Sequence, residues 1–227
     1  MNIKILKKAK TYIIVHKPAG YVVYSDSKED NKISCQVLLE KQLSQKIYPV
    51  HRIDKPTCGV LIYALTQQKA NQLSTLFKTK RVDKTYLAFC HGEMVAKARA
   101  DFPLKKHKEK LTELAATNLL NLETIEIDAK NEKRKYSLVE AIPETGRYHQ
   151  IRRHLKMMKC PIVGDPVYGN SWNNDFFKEK YNINRTLLSA VSISFVDPET
   201  KEKVFVKTAP DQDFSNLLNK LGIKVNI

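Results

Sequence analysis

A polar turn set between two apolar runs constrains this chain more than any other stretch. Ile47-Tyr48-Pro49-Val50 leads into His51-Arg52-Ile53-Asp54-Lys55-Pro56-Thr57-Cys58-Gly59, and Val60-Leu61-Ile62-Tyr63-Ala64-Leu65 follows. The second run has the length of a strand, is rich in β-formers and carries no charge, so it reads as a buried strand. Asp54 then stands on a short loop running into a rigid element, and loops held by a scaffold are where catalytic groups concentrate. The same residues also read as a plain turn, with Asp54 bonding its own backbone near Pro56 and Gly59. Both readings expect a carboxylate fixed at the mouth of a strand.

Charge narrows the partners. Of 227 residues, 39 are Lys or Arg and 24 are Asp or Glu, a formal net charge of +15. Such an excess favours a polyanion, because each phosphate neutralised releases counterions. An anionic membrane surface competes, but no helical pattern sets a full basic face against a wide apolar one. No apolar stretch reaches the ~18 residues of a membrane-spanning helix, and Met1-Asn2-Ile3-Lys4 lacks a signal peptide's apolar core. A soluble, cytoplasmic protein with no membrane partner is expected. The cysteines at 35, 58, 90 and 160 form no C-x-x-C pair, and their wide spacing suits separate reduced thiols. His149 and His154, five apart, fall on different faces of a helix. No metal site is expected.

In chain order, a basic tail over residues 1–10 precedes a short strand at Tyr12–Val15, which closes in His16-Lys17-Pro18-Ala19-Gly20 and resumes at Tyr21–Tyr24. A polar loop covers Ser25–Lys32. Ser34 can cap a helix to about Gln45, and Thr66 a second one with Ala70, Leu73, Leu76 and Phe77 at helical spacing and Lys78–Arg81 at its end. Val82–Cys90 ends in another buried strand. Residues 93–135 are the least legible part, with alternation at Leu120–Ile127 and charge runs at Lys105–Lys110 and Lys130–Lys135 that suit solvated faces. Tyr136–Ile142 alternates as a strand. Arg147–Lys159 reads as a basic helix with Tyr148, Ile151, Leu155 and Met158 on one face and Arg152 at its border. Asn170–Asn184 reads as an irregular insert. A hairpin follows at Leu187–Val196 and Val204–Lys207, and Asp213 caps a last helix whose Leu217, Leu218 and Leu221 pack inward. Without a repeat or a dividing linker, residues 11–227 read as one α+β domain with a mostly antiparallel sheet.

Three separated stretches resemble one family. His51–Gly59 is similar to the H-R-L-D-x-x-T-S-G motif of the RNA pseudouridine synthases, in the branch typified by a dual-specificity rRNA/tRNA enzyme. Lys84-Thr85-Tyr86 resembles its K-x-Y motif, and Gly146-Arg147-Tyr148-His149-Gln150-Ile151-Arg152 its G-R-x-H-Q-I-R motif. Val15–Gly20 is similar to an early K-P-x-G stretch, and Ile162–Gly169 to I-x-G-D-x-x-Y-G. These run in the family's order over roughly residues 11–208. Ile53 stands where Leu is usual, a volume-conserving change. Cys58 stands where Ser is usual, with loss of a strong hydrogen-bond donor near Asp54. Ser189 stands where His is frequent.

The resemblance implies a bent mixed sheet with flanking helices and a central cleft, and an isomerisation of uridine to pseudouridine that needs no cofactor and no metal. It makes Asp54 the catalytic carboxylate, as nucleophile or as base on the sugar. Arg152 becomes its ion-pair partner and Tyr86 the ring against the target base. Arg52 would fill the gap left by an extruded uridine. His51 and Thr57 complete the loop side of the pocket, and Ile151 forms an apolar wall. Almost nothing precedes the first strand, so a minimal catalytic domain is expected, without the amino-terminal RNA-binding module of many relatives, and acting as a monomer. Arg152-Arg153-His154-Leu155 resembles the small branch that acts on uridine 65 of tRNA. RNA is the expected partner, with tRNA favoured and a 23S rRNA position as the alternative. A silent RNA-binding protein is the reading from another class, which the joint presence of Asp54, Tyr86 and Arg152 opposes.

Overall fold

The computed structural model describes residues 2–24, 34–106, 111–129 and 132–224. In chain order the first half forms β1 (Lys4–Lys8), β2 (Tyr12–Lys17), α1 (Cys35–Leu43), β3 (Tyr48–Pro49), β4 (Cys58–Ala64), α2 (Gln67–Lys78), β5 (Val82–His91), β6 (Lys97–Ala100), β7 (Leu104–Lys105) and β8 (Thr112–Glu113). The rest forms β9 (Thr117–Ala129), β10 (Glu132–Pro143), α3 (Gln150–Met157), α4 (Ser171–Tyr181), β11 (Leu188–Val196), β12 (Lys203–Lys207) and α5 (Gln212–Lys220). The chain divides into two compact units, residues 1–84 with 190–211, and residues 85–189 with 212–226. The expected α+β class and the mostly antiparallel strand pairing are both found.

In the first unit β4 is buried at every position, as its uncharged sequence requires. It pairs antiparallel with β2, from Tyr12 opposite Ala64 to Lys17 opposite Gly59, and β1 pairs with β2 in turn. The hairpin of β11 and β12 is antiparallel, with Ile193 opposite Val206. Inward residues of these strands, among them Tyr12, Ile14, Val60, Ile62, Ile193 and Phe195, meet Ala70, Leu73 and Leu76 of α2 in one core. Each leucine so buried contributes about 1.5–3 kcal/mol. The helix starts where its cap dictates, the Lys69 N–H donating to Thr66 Oγ1 at 3.2 Å.

In the second unit β10 pairs antiparallel with β5 and β9, and β6 adds to β9. Phe89, Tyr136 and Phe177 pack at its centre. Arg185 holds Asp213 of α5 by two bonds of 2.6–2.7 Å, while Phe214, Leu217 and Leu218 are buried.

Several expectations are corrected. Lys4–Lys8 is a strand rather than a tail, because Ile5 and Leu6 are half-buried beside β2. Tyr21–Tyr24 does not resume a strand: Val22 makes one isolated parallel bridge with Ser34. Asn170–Asn184 is no irregular insert but carries α4, capped by Asn170, whose side chain accepts from the Asn173 N–H at 3.0 Å. Asp213 lies in the first turn of α5 rather than at its cap, and Leu221 is only half-buried just past the helix end. The loop Ser25–Lys32 lies wholly, and the charge runs at 105–110 and 130–135 in part, outside the described residues.

Candidate active site

On the first unit, the loop from His51 to Gly59 is fixed from beneath. Lys17 is fully buried, and its Nζ donates to the carbonyl oxygens of Pro18, Tyr21 and Lys55 at 3.0, 2.7 and 3.2 Å. The Gly20 N–H also donates to the Lys55 carbonyl, and the Thr57 N–H to that of Asp54. Burial pushes the Lys17 amine down to about 8, against the opposing pull of the Cys35 and Cys58 thiols and the Asp211 and Asp54 carboxylates. The carboxylate of Asp54 therefore lies within the field of a buried cation.

The loop's ends are as firmly set. His51 stacks on Phe77 with ring centroids 4.3 Å apart, and its Nε2 accepts the Ile62 N–H at 3.1 Å. Burial, helped by the Lys84 charge, lowers its pKa to about 3, so the ring is neutral and anchors the loop. Gly59 adopts φ +114°, and a side chain there would put its Cβ 2.1 Å from the Ala190 carbonyl oxygen. Between these anchors Arg52 is exposed, Asp54 is half-buried and Thr57 is buried, its Oγ1 without a hydrogen-bond partner among the described residues.

On the second unit, Tyr86 is half-buried on β5, opposite Ala141 of β10. Ile151 and Arg152 lie on α3. That helix is shorter than the expected span of 147–159, because His149 takes a left-handed conformation with φ 51° and Gln150 folds back to accept the Arg147 N–H at 3.0 Å. Tyr148 consequently leaves the helix face and is exposed, while Ile151 and Leu155 are buried. Arg152 is not at a border either. It is 3% exposed, and its Nε and Nη2 donate to both oxygens of Asp165 at 2.7 and 2.8 Å. The N–H groups of Val167 and Tyr168 also donate to Asp165 Oδ1. Burial alone would raise the Asp165 carboxyl, but Arg152 and these backbone donors outweigh it and hold the group below its ordinary range. The guanidinium plane is thus fixed before any substrate arrives.

Side-chain polar bonds seat α3. Gln150 Nε2 donates to the Ala116 carbonyl and Thr117 Oγ1, both at 2.9 Å, and its Oε1 accepts from the Thr145 hydroxyl. The His154 ring bonds Thr117 Oγ1 and the Phe102 carbonyl, and burial lowers its pKa. Sequence reasoning gave no role to Lys17, Asp165 or Gln150, although each sits in a stretch already set apart by its motif. A depression of about 480 Å³ on the second unit, lined by Lys97, Arg99, Leu120, Glu140 and Ile142 among others, includes none of the expected site residues.

A family model described as RNA pseudouridylate synthase matches residues 11–157. The chain belongs to the RNA pseudouridylate synthase family. Synthases of this family are isomerases. The chain is 35% identical to a "tRNA pseudouridine synthase C" of Pasteurella multocida, over 96% of each chain. It is equally similar to the protein of that name from Haemophilus ducreyi, at 35% over 98% of this chain and 97% of the relative, and 30% identical to that from Vibrio vulnificus. Two solved human structures, RNA pseudouridylate synthase domain containing 4 and 1, share the synthase fold with a TM-score of 0.75. They are 23% and 22% identical, with 98% of this chain and 94% and 96% of theirs aligned. No helix among the described residues is long and apolar enough to cross a membrane.

Proposed function

We propose that this synthase converts one uridine of a tRNA to pseudouridine, with residues 11–227 acting as one catalytic domain in the cytoplasm. The observation that carries the chemistry is the half-buried Asp54 on a loop fixed at Lys17, His51 and Gly59. In the reaction the N1–C1′ bond of the nucleotide breaks, a C5–C1′ bond forms, the C5 proton leaves and N1 gains one. Asp54 serves as nucleophile or as base on the sugar. The family motifs assign to Arg152, its fork set by Asp165, the role of counter-charge in the reaction, and to Tyr86 that of the ring against the base. Ile151 supplies an apolar wall and exposed Arg52 takes the place of the extruded base. His51 and Thr57 act by keeping the loop in shape. None of these steps calls on a cofactor.

The choice of tRNA is supported by the relatives named tRNA pseudouridine synthase C, which align over nearly their whole length. The charge of +15 suits a compact folded RNA gripped through its phosphates. Deleting the gene is expected to remove one carbodiimide-dependent reverse-transcription stop from a tRNA stem near the acceptor end and none from large-subunit rRNA. A lost stop in rRNA overturns the substrate and keeps the chemistry. No lost stop, together with no tritium release from C5-labelled RNA by the purified protein, overturns both.

A further inference from the structure

His16, Cys58 and Asp211 are far apart in the chain, at the end of β2, the start of β4 and just before α5, yet their nitrogen, sulfur and oxygen atoms lie within 4.8 Å of one another. We propose that these three side chains form a binding site for a divalent cation of the zinc class.

The donor set is one imidazole, one thiolate and one carboxylate, which suits a borderline-soft ion better than magnesium or calcium. Three protein ligands leave a fourth tetrahedral position for water. The outer contacts that such a site needs are already made. His16 Nδ1 bonds Thr208 Oγ1 at 3.0 Å while Nε2 faces Asp211 Oδ1 at 2.6 Å, so one ring nitrogen is held from behind and the other points inward. The second oxygen of Asp211 accepts the Ala19 N–H at 3.0 Å, which orients the carboxylate. Outer bonds of this kind fix ligating groups, and their loss commonly weakens a metal by 10–100-fold.

An ion can reach the group, since the side chains of His16 and Asp211 are 12% and 24% exposed although Cys58 is buried. To admit it, the 2.6 Å contact between imidazole and carboxylate must open to about 3.3 Å, the edge of a tetrahedron with bonds of about 2.0 Å. Binding displaces the Cys58 thiol proton and any proton shared by His16 and Asp211, and these leave to solvent. The site goes beyond the proposed isomerisation, which uses none of the three side chains. It touches the same loop, however, because Cys58 follows Asp54 by four positions. Widely separated ligands are also why cysteine and histidine spacing gave no sign of it.

The test uses the full chain, reduced, stripped with a chelator and titrated with Co²⁺ as the probe. One equivalent is expected to bind, with a thiolate-to-cobalt charge-transfer band in the near ultraviolet that Zn²⁺ bleaches. Cys58→Ser should abolish that band, Cys90→Ser should keep it, and Asp211→Asn or Thr208→Val should weaken binding by about tenfold or more. A thermal melt of each variant checks folding. Should Cys58→Ser not fold, a Zn²⁺-dependent rise in the wild-type melting temperature that Asp211→Asn loses supports the site. Absence of the band at millimolar Co²⁺, or its survival in a folded Cys58→Ser protein, overturns it.

Discussion

In the loop from His51 to Gly59 the chain is held mainly at its backbone, with Lys17 reaching the Lys55 carbonyl, the Thr57 N–H donating to that of Asp54 and Gly59 crowded on Ala190, and one side chain, the His51 ring, accepting from Ile62. In α3 it is held by side chains, through Gln150, His154 and the pair of Arg152 with Asp165. The difference bears on what each region tolerates. A backbone-held loop can change most of its side chains but few of its conformations. A side-chain-held helix has the opposite tolerance, because a buried polar group that loses its partner retains its desolvation penalty.

The two motif glycines should separate the regions most widely. Gly59→Ala must relieve both a φ of +114° and a contact of 2.1 Å, and is expected to lose about 4 kcal/mol or more in urea unfolding, or to be insoluble. Gly146→Ala, with open space around it and no left-handed backbone, should stay within about 0.5 kcal/mol of the parent. Equal damage would mean that the α3 side is also held by its backbone.

A smaller effect is expected in the reverse direction. Gln150→Ala removes bonds to Ala116, Thr117, Thr145 and Arg147 and should lose about 2–3 kcal/mol in the same assay. Lys55→Ala, which keeps the carbonyl that the loop uses, should lose less than about 0.5 kcal/mol.

Between pH 6.5 and 5 the pH dependence set by His51 is a smaller effect than the loss of Gln150, about 2 kcal/mol at most. The unfolded ring takes a proton near pH 6.5, whereas the folded ring refuses it until about pH 3. Its contribution is therefore complete above pH 6.5 and is lost as the pH falls toward 3, by at most about 1.4 kcal/mol per pH unit. His51→Gln should flatten the decline between pH 6.5 and 5. An unchanged slope would assign the acid sensitivity to other groups, among them His91 and His154, whose pKa values burial also lowers.

What could be read from sequence follows the same division. β4, α2 with its Thr66 cap and the β11–β12 hairpin were legible because period, cap and turn residues all agreed. Asp54, Arg52 and Tyr86 were named from motif resemblance, and their position on a loop and a strand fits local pattern. Hydropathy misled at α3, where the left-handed His149 shifts the helix start and two buried charges neutralise each other. It misled again at α4, whose Phe176 and Phe177 are buried within a run rich in Asn and Lys. Lys17 was missed for a related reason: a lysine buried to satisfy three carbonyls leaves no periodic trace.

Asp54 is proposed to perform the chemistry, and the excess of positive charge to bind the RNA. Single-turnover conversion and filter binding on one tRNA transcript, compared between wild type and Asp54→Asn, test this directly. Isomerisation is expected to fall below detection while affinity stays within a few-fold, since the substitution removes a carboxylate and no phosphate contact. An Asn variant that converts uridine at the wild-type rate would contradict it.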